Sequence, residues 1–155
     1  MPIAHITHYL IAANDVQLTR DWYCDVLGME EGWHPEFGFP VVWLYANGVD
    51  VVHIGRNAAQ ATANQKAYLG RTAQDTGSGT GAIDHIAFLA SGLDESLARL
   101  RKHGVEFTER RANGQALYQV FMFDPNGIKV ELNFDAVEAA GVEPEVNAAT
   151  FVKQS

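Results

Sequence analysis

The sequence predicts an α+β fold in which one unit of strand, helix and two further strands occurs twice, and three observations carry that expectation. In each half an alternating apolar stretch is followed by a segment of helical periodicity and then by two more alternating stretches. Strong turn signals, Asn47-Gly48 and Asp124-Pro125-Asn126-Gly127, separate the last two stretches of each half. The halves also keep the same internal distances. His8 to Gly28 is 20 residues and His85 to Gly104 is 19, while His8 to His53 is 45 and His85 to Glu131 is 46.

Residues 3–12 (IAHITHYLIA) alternate so that Ile6, His8, Leu10 and Ala12 share one face of a strand, with His5 on the other. Asn14-Asp15 supplies an N-cap, and Val16, Thr19, Tyr23 and Val26 follow at helical spacing until Gly28 ends the helix. Residues 39–46 and 50–55, rich in β-branched and aromatic side chains, form a hairpin around Asn47-Gly48. Residues 57–81 are polar and rich in Ala, Gln and Gly, which reads as a connector or lid. The pattern then restarts with IDHIAFLA, whose one face carries His85, Ala87 and Leu89. Ser91 is a cap candidate, and Leu93, Leu97 and Leu100 form a helical stripe ending at His103-Gly104. Residues 117–123 and 128–134 are the closing strands. Module 1 therefore spans about 3–56 and module 2 about 82–134 of a single domain. The tail 135–155 has no counterpart in the repeat; its DAVEAAG segment reads as a short helix packed outside or on a partner.

Composition narrows the function. With 47% hydrophobic and 19% charged residues the chain reads as globular, and no apolar stretch approaches a membrane span. No basic leader precedes an apolar run, so a soluble, cytoplasmic protein is expected. A net charge of -8, without a long Lys/Arg run, argues against nucleic acid. The single Cys24 allows neither an internal disulfide nor a thiolate cluster, so a bound metal would need nitrogen and oxygen ligands.

The duplicated spacing places one polar residue on the first strand and one on the last strand of each module: His8 with His53, and His85 with Glu131. Four such groups related by a pseudo-twofold axis would converge. Three imidazoles and one carboxylate suit Fe, Mn, Zn, Ni or Co better than Ca or Mg. A lone histidine on an apolar strand is more often a hydrogen-bonded core residue, and His53 can be a ligand or an acid/base group beside the metal. Glu131 can face solvent in the alternation Lys129, Glu131, Asn133. What favours a site is the matched spacing in two copies.

At these residues the chain resembles the vicinal oxygen chelate superfamily, which includes glyoxalase I, methylmalonyl-CoA epimerase, fosfomycin- and bleomycin-resistance proteins and type I extradiol dioxygenases. The resemblance covers about residues 3–134 and rests on HITHYLIAANDVQLTRDWYCDVLGM, IDHIAFLASGLDESLARLRKHGV and FMFDPNGIKVEL in that order. It implies two paired βαβββ modules forming an eight-stranded cupped sheet with helices outside, and one divalent metal held by His8, His85 and Glu131 with His53 as fourth ligand. It also implies a small-molecule substrate and a homodimer. A glyoxalase-like isomerase, epimerase or lyase passing through an enediolate, with Glu131 as base, is the leading expectation. An Fe(II) extradiol dioxygenase on an aromatic diol is the alternative. Its pattern puts a Tyr where Phe121 stands and a His where residues 112–114 are Ala, Asn and Gly, leaving Tyr118 or His34 as substitutes. A non-catalytic resistance-type binder is the third reading. Trp33, Phe37, Phe39, Trp43 and Tyr45 could line an aromatic-ring-sized pocket, and Arg56 could contact an anion.

Overall fold

The computed structural model describes residues 5–69, 78–81, 83, 85–112 and 116–142. The chain divides into two compact units, 1–77 and 78–155, each built on a four-stranded mixed sheet. The first contains β1 (Tyr9–Ala13), α1 (Val16–Asp25), β2 (Glu30–Gly32), β3 (Val41–Ala46) and β4 (Val49–Arg56), followed by α2 (Ala63–Leu69). The second contains β5 (Ile86–Leu89), α3 (Leu93–Lys102), β6 (Phe107–Ala112), β7 (Leu117–Phe123) and β8 (Lys129–Asp135), followed by a 3-10 turn at Ala136–Ala139. Each unit is a βαβββ module, as expected of the α+β fold. The strand orders, β1-β4-β3-β2 and β5-β8-β7-β6, are the same.

Registration makes the internal repeat physical. Parallel pairing sets Leu10 opposite His53 in the first sheet and Ala87 opposite Glu131 in the second. His8 and His85 each stand two residues before those positions, just ahead of the strands, and their rings reach the same face, His8 against His53 and His85 beside Glu131. The other face of each sheet is the core. Ile11, Leu44, Val52 and Ile54 are buried there with Tyr23 of α1, and Tyr118, Val120, Val130 and Phe134 are buried in the second unit. Leu93, Leu97 and Leu100 are all buried, as the helical stripe requires, and each contributes about 1.5–3 kcal/mol by leaving water.

Local signals explain most element ends. Asp15 caps α1 by accepting the Leu18 N–H, and Gly28 leaves the helix at φ 74°. The Asn47-Gly48 turn has both residues in the left-handed region, as a two-residue hairpin of the right twist demands. Asp124 folds its turn by accepting from the N–H groups of Asn126 and Ile128.

Four expectations are corrected. The first strand starts at Tyr9 and residues 5–8 precede it, because β1 has β4 as its neighbour and that ladder opens at Tyr9 opposite Val52; residues 3 and 4 lie outside the described residues. The connector contains a helix, α2, anchored by hydrogen bonds that no local pattern announces: Asn64 Nδ2 donates to the Gly38 carbonyl and Gln65 Nε2 to the Arg56 carbonyl. β2 and β6 were not legible as strands, being a three-residue segment and the polar FTERRA. Ser91 does not cap α3. The cap position is Gly92, at φ 77°, and the Glu138 carboxyl from the 3-10 turn accepts both the Gly92 and Leu93 N–H groups. The DAVEAAG segment thus packs on its own unit, where Arg111 also donates to the carbonyls of Ala139 and Val142. Glu138→Ala should cost about 0.5–2 kcal/mol, the range for losing a helix cap, readable in urea unfolding.

Candidate metal centre

In the second unit Glu131 lies on β8 opposite Phe121 of β7 and Ala87 of β5. Its side chain is buried, 5% exposed, on the sheet face away from the core, so the solvent-facing reading of the alternation is excluded. Its Oε2 lies 2.9 Å from His85 Nε2. Its Oε1 accepts from Gln119 Nε2 at 2.7 Å. Gln119 also donates to Asn133 Oδ1, and its own oxygen accepts from both Nε and Nη2 of Arg110, whose guanidinium lies over the Phe121 ring. A buried carboxyl is thereby fixed through an amide that is itself fixed by a forked guanidinium.

In the first unit His53 is buried on the equivalent face of β4. Its ring stacks on Trp43 at 3.9 Å and 3° and on His8 at 3.9 Å and 19°. Its Nε2 lies 2.9 Å from Asp50 Oδ2. Burial holds the His53 pKa below the ordinary histidine value despite Asp50, and the His53 hydrogen bond holds the Asp50 carboxyl below its usual range. His53 is therefore a neutral imidazole that donates from Nε2 and keeps its lone pair on Nδ1. The sign of the linkage follows. A buried histidine of lowered pKa takes its proton more readily in the unfolded chain, so its contribution to stability is complete above about pH 6.5 and is lost as pH falls below it. The melting temperature of metal-free protein should drop on acidification through that range, and His53→Gln should flatten the profile.

The donor sets can be tested against an ion. Among the described residues no three His, Cys, Asp or Glu are grouped to hold a metal. Two cis ligands on an ion with bonds of about 2.1 Å stand about 3 Å apart, and the His85–Glu131 separation of 2.9 Å meets that spacing. The His8–His53 pair fits with one adjustment. Nearly parallel rings do not aim their in-plane lone pairs at one point, so one ring must turn. His53 is clamped by Trp43 and Asp50, whereas His8 is exposed and hydrogen-bonded to the hydroxyl of its neighbour Thr7. His8 is the ring that would move.

The family model for the glyoxalase/bleomycin resistance protein/dioxygenase superfamily matches residues 5–132. The chain belongs to this superfamily. Solved structures of the same fold include a lactoylglutathione lyase from Agrobacterium tumefaciens, at 21% identity and TM-score 0.63, covering 88% of this chain and 98% of that one. They also include an antibiotic binding protein from Streptomyces sp. CB03234, at 17% identity and TM-score 0.59, covering 87% and 97%. A protein from the mobile metagenome of V. Pseudocholerae matches at 18% identity and TM-score 0.65, covering 86% and 96%. No curated protein sequence matches. Enzymes and binding proteins of the superfamily share this architecture, so the reaction has to be argued from side chains.

Several expected contributors fall elsewhere. Tyr118, offered as a substitute for the tyrosine of ring-cleaving members, is fully buried on the core face and donates its hydroxyl to Glu109, away from Glu131. Phe121, directly opposite Glu131, has no hydroxyl to offer. His34 sits in the loop after β2, its Nδ1 2.8 Å from the Pro35 carbonyl oxygen. Arg56 is an exposed strand end whose carbonyl takes Gln65. Conversely, Asp50, Gln119 and Arg110 escaped the sequence reading. Alternation does place Gln119 on the Glu131 face once β7 and β8 are in register, which was the available signal. Gln119→Leu should lower metal affinity about 10–100-fold, the usual effect of removing a group that orients a ligand, measured by chelator competition. Among the described residues no helix is long and apolar enough to cross a membrane.

Proposed function

We propose that the protein is a divalent-metal-dependent enzyme of glyoxalase-like type, a lyase or isomerase acting on a small substrate with two neighbouring oxygens. The observation that carries this reading is the Glu131 side chain, buried beside His85 and oriented by Gln119 and Arg110 on a non-core face. His85 and Glu131 from one unit and His8 and His53 from the other would hold one ion of Fe, Mn, Zn, Ni or Co.

A bound divalent ion would supply Lewis acidity, polarising a carbonyl or hydroxyl and acidifying the neighbouring C–H. The chain's own residues supply the rest. Glu131 is the base that takes the proton from carbon and returns it, and Gln119 keeps its Oε1 aimed while Oε2 stays at His85. Phe121, opposite Glu131, offers an apolar neighbour that limits water at the base. Lyase or isomerase chemistry is favoured over ring cleavage because the position facing Glu131 is Phe121 and Tyr118 points into the core.

Metal analysis of the purified protein beside Glu131→Ala and His53→Ala tests the proposal. One equivalent of transition metal in the parent, lost in Glu131→Ala, is expected. Equal metal in parent and Glu131→Ala would overturn it.

A further inference from the structure

The second unit holds a groove of about 860 Å³ whose lining includes neither His85 nor Glu131. It opens where β6 starts, β7 ends and β8 starts, strand ends brought together by the antiparallel pairs Phe107–Met122 and Phe123–Lys129. Small-molecule sites run to about 300–1,000 Å³, so the volume suits a ligand of that size. Phe107, Phe121 and Phe123 give the groove apolar walls, and Phe123 is 60% exposed, a ring outside the core. Exposed apolar clusters of this kind mark binding surfaces.

Charge marks the same groove independently. Arg101, Arg110 and Lys129 line it together with two carboxylates, Glu106 and Glu109, which makes it locally cationic in a chain of net charge -8. Glu109 is engaged by the Tyr118 hydroxyl. Each guanidinium is held on a ring, Arg101 over Phe107 at 5.7 Å and Arg110 over Phe121 at 4.8 Å. Arg110 directs Nε and Nη2 to Gln119. Arg101, in the last turn of α3, has neither a carboxylate nor a hydrogen-bond partner for its guanidinium among the described residues, although the chain carries 19 acidic side chains to 11 basic ones. A guanidinium fixed on an apolar wall with its donors open matches a ligand that joins an apolar body to one negative group.

We propose that the groove binds a small aliphatic carboxylate, its chain along Phe121 and Phe123 and its carboxylate on Arg101. Phe121 is also the residue opposite Glu131, so the far end of the chain comes to the base. The groove thereby names a substrate class for the function proposed above, an aliphatic acid whose two neighbouring oxygens lie at the end away from the carboxylate. It rests on that reading for the chemistry, while the binding itself needs no metal.

Calorimetric titration of the purified protein, with and without chelator, compares octanoate, butanoate and octylammonium at neutral pH. In chelated protein octanoate should bind about tenfold or more tighter than butanoate, because each fully buried methylene is worth about fourfold. It should bind about fivefold tighter than octylammonium, an order that the net charge of -8 by itself would reverse. Arg101→Gln, at an exposed position, should lower octanoate affinity about two- to fivefold and remove the preference over octylammonium. Phe123→Ser, also exposed, should flatten the dependence on chain length. Equal affinity for octanoate and octylammonium, equal affinity for octanoate and butanoate, unchanged octanoate binding in Arg101→Gln, or no octanoate binding in the millimolar range would overturn the proposal. A protein that purifies without metal and keeps these preferences would sink the metal reading and leave the groove assigned. Bound metal without octanoate binding would do the reverse.

Discussion

Glu131→Ala should leave a folded protein that has lost its metal, with affinity reduced by more than the roughly 10–100-fold that follows loss of an orienting group. The carboxyl is buried, its two oxygens are engaged by His85 and Gln119, and removing it takes away the oxygen donor that stands 2.9 Å from His85 Nε2. Gln119 keeps Asn133 and Arg110 as partners, so the amide is not stranded by the truncation. The isosteric Glu131→Gln gives a sharper test. It preserves volume but sets an NH2 group where an acceptor stood, facing either the Gln119 amide or the His85 nitrogen. Metal content after dialysis and affinity by chelator competition should fall in both variants, with little change in melting temperature for Glu131→Gln. A variant that keeps its full metal content would show that Glu131 is a structural acceptor for Gln119 and not a ligand.

The sequence revealed what is periodic and local, and concealed what depends on neighbours. The 45- and 46-residue spacings anticipated that His53 and Glu131 take equivalent places, because a duplicated sheet must repeat its register. Asp15, Gly28 and Asn47-Gly48 were legible since each acts within a few residues. Glu138 as the cap of α3 was not, as it reaches back 46 residues to Gly92 and supplies to a glycine what Ser91 was expected to supply. α2 was hidden for the same reason. Its polar face bonds to the carbonyls of Gly38 and Arg56, and composition alone resembles a linker. At the candidate site the repeated side chains, His53 and Glu131, were legible and their supports, Asp50, Gln119 and Arg110, were not. A pattern of spacing identifies who is repeated, whereas supports differ between the copies: an acid three residues away in one, an amide on the next strand in the other.

That difference between copies sets the second large effect. If His53 ligates through Nδ1, as its bond from Nε2 to Asp50 leaves it able to do, His53→Ala should empty the site as Glu131→Ala does, and Asp50→Asn should weaken metal binding about 10–100-fold. Asp50 then acts only by holding the imidazole. The double variant must bind metal no more weakly than His53→Ala alone, because a positioning residue has nothing to position once the ring is gone. The competing role for His53, a base beside a metal held by three ligands, makes the opposite pattern. His53→Ala would keep its metal, and the parent protein loaded with Fe(II) would consume oxygen with catechol. Trp43 and Asp50 argue for the first pattern. Trp43 lies flat on the His53 ring at 3.9 Å and Asp50 holds its Nε2, so the imidazole is confined to its own plane, a restriction that suits an in-plane bond to an ion better than a side chain that must swing between proton donor and acceptor.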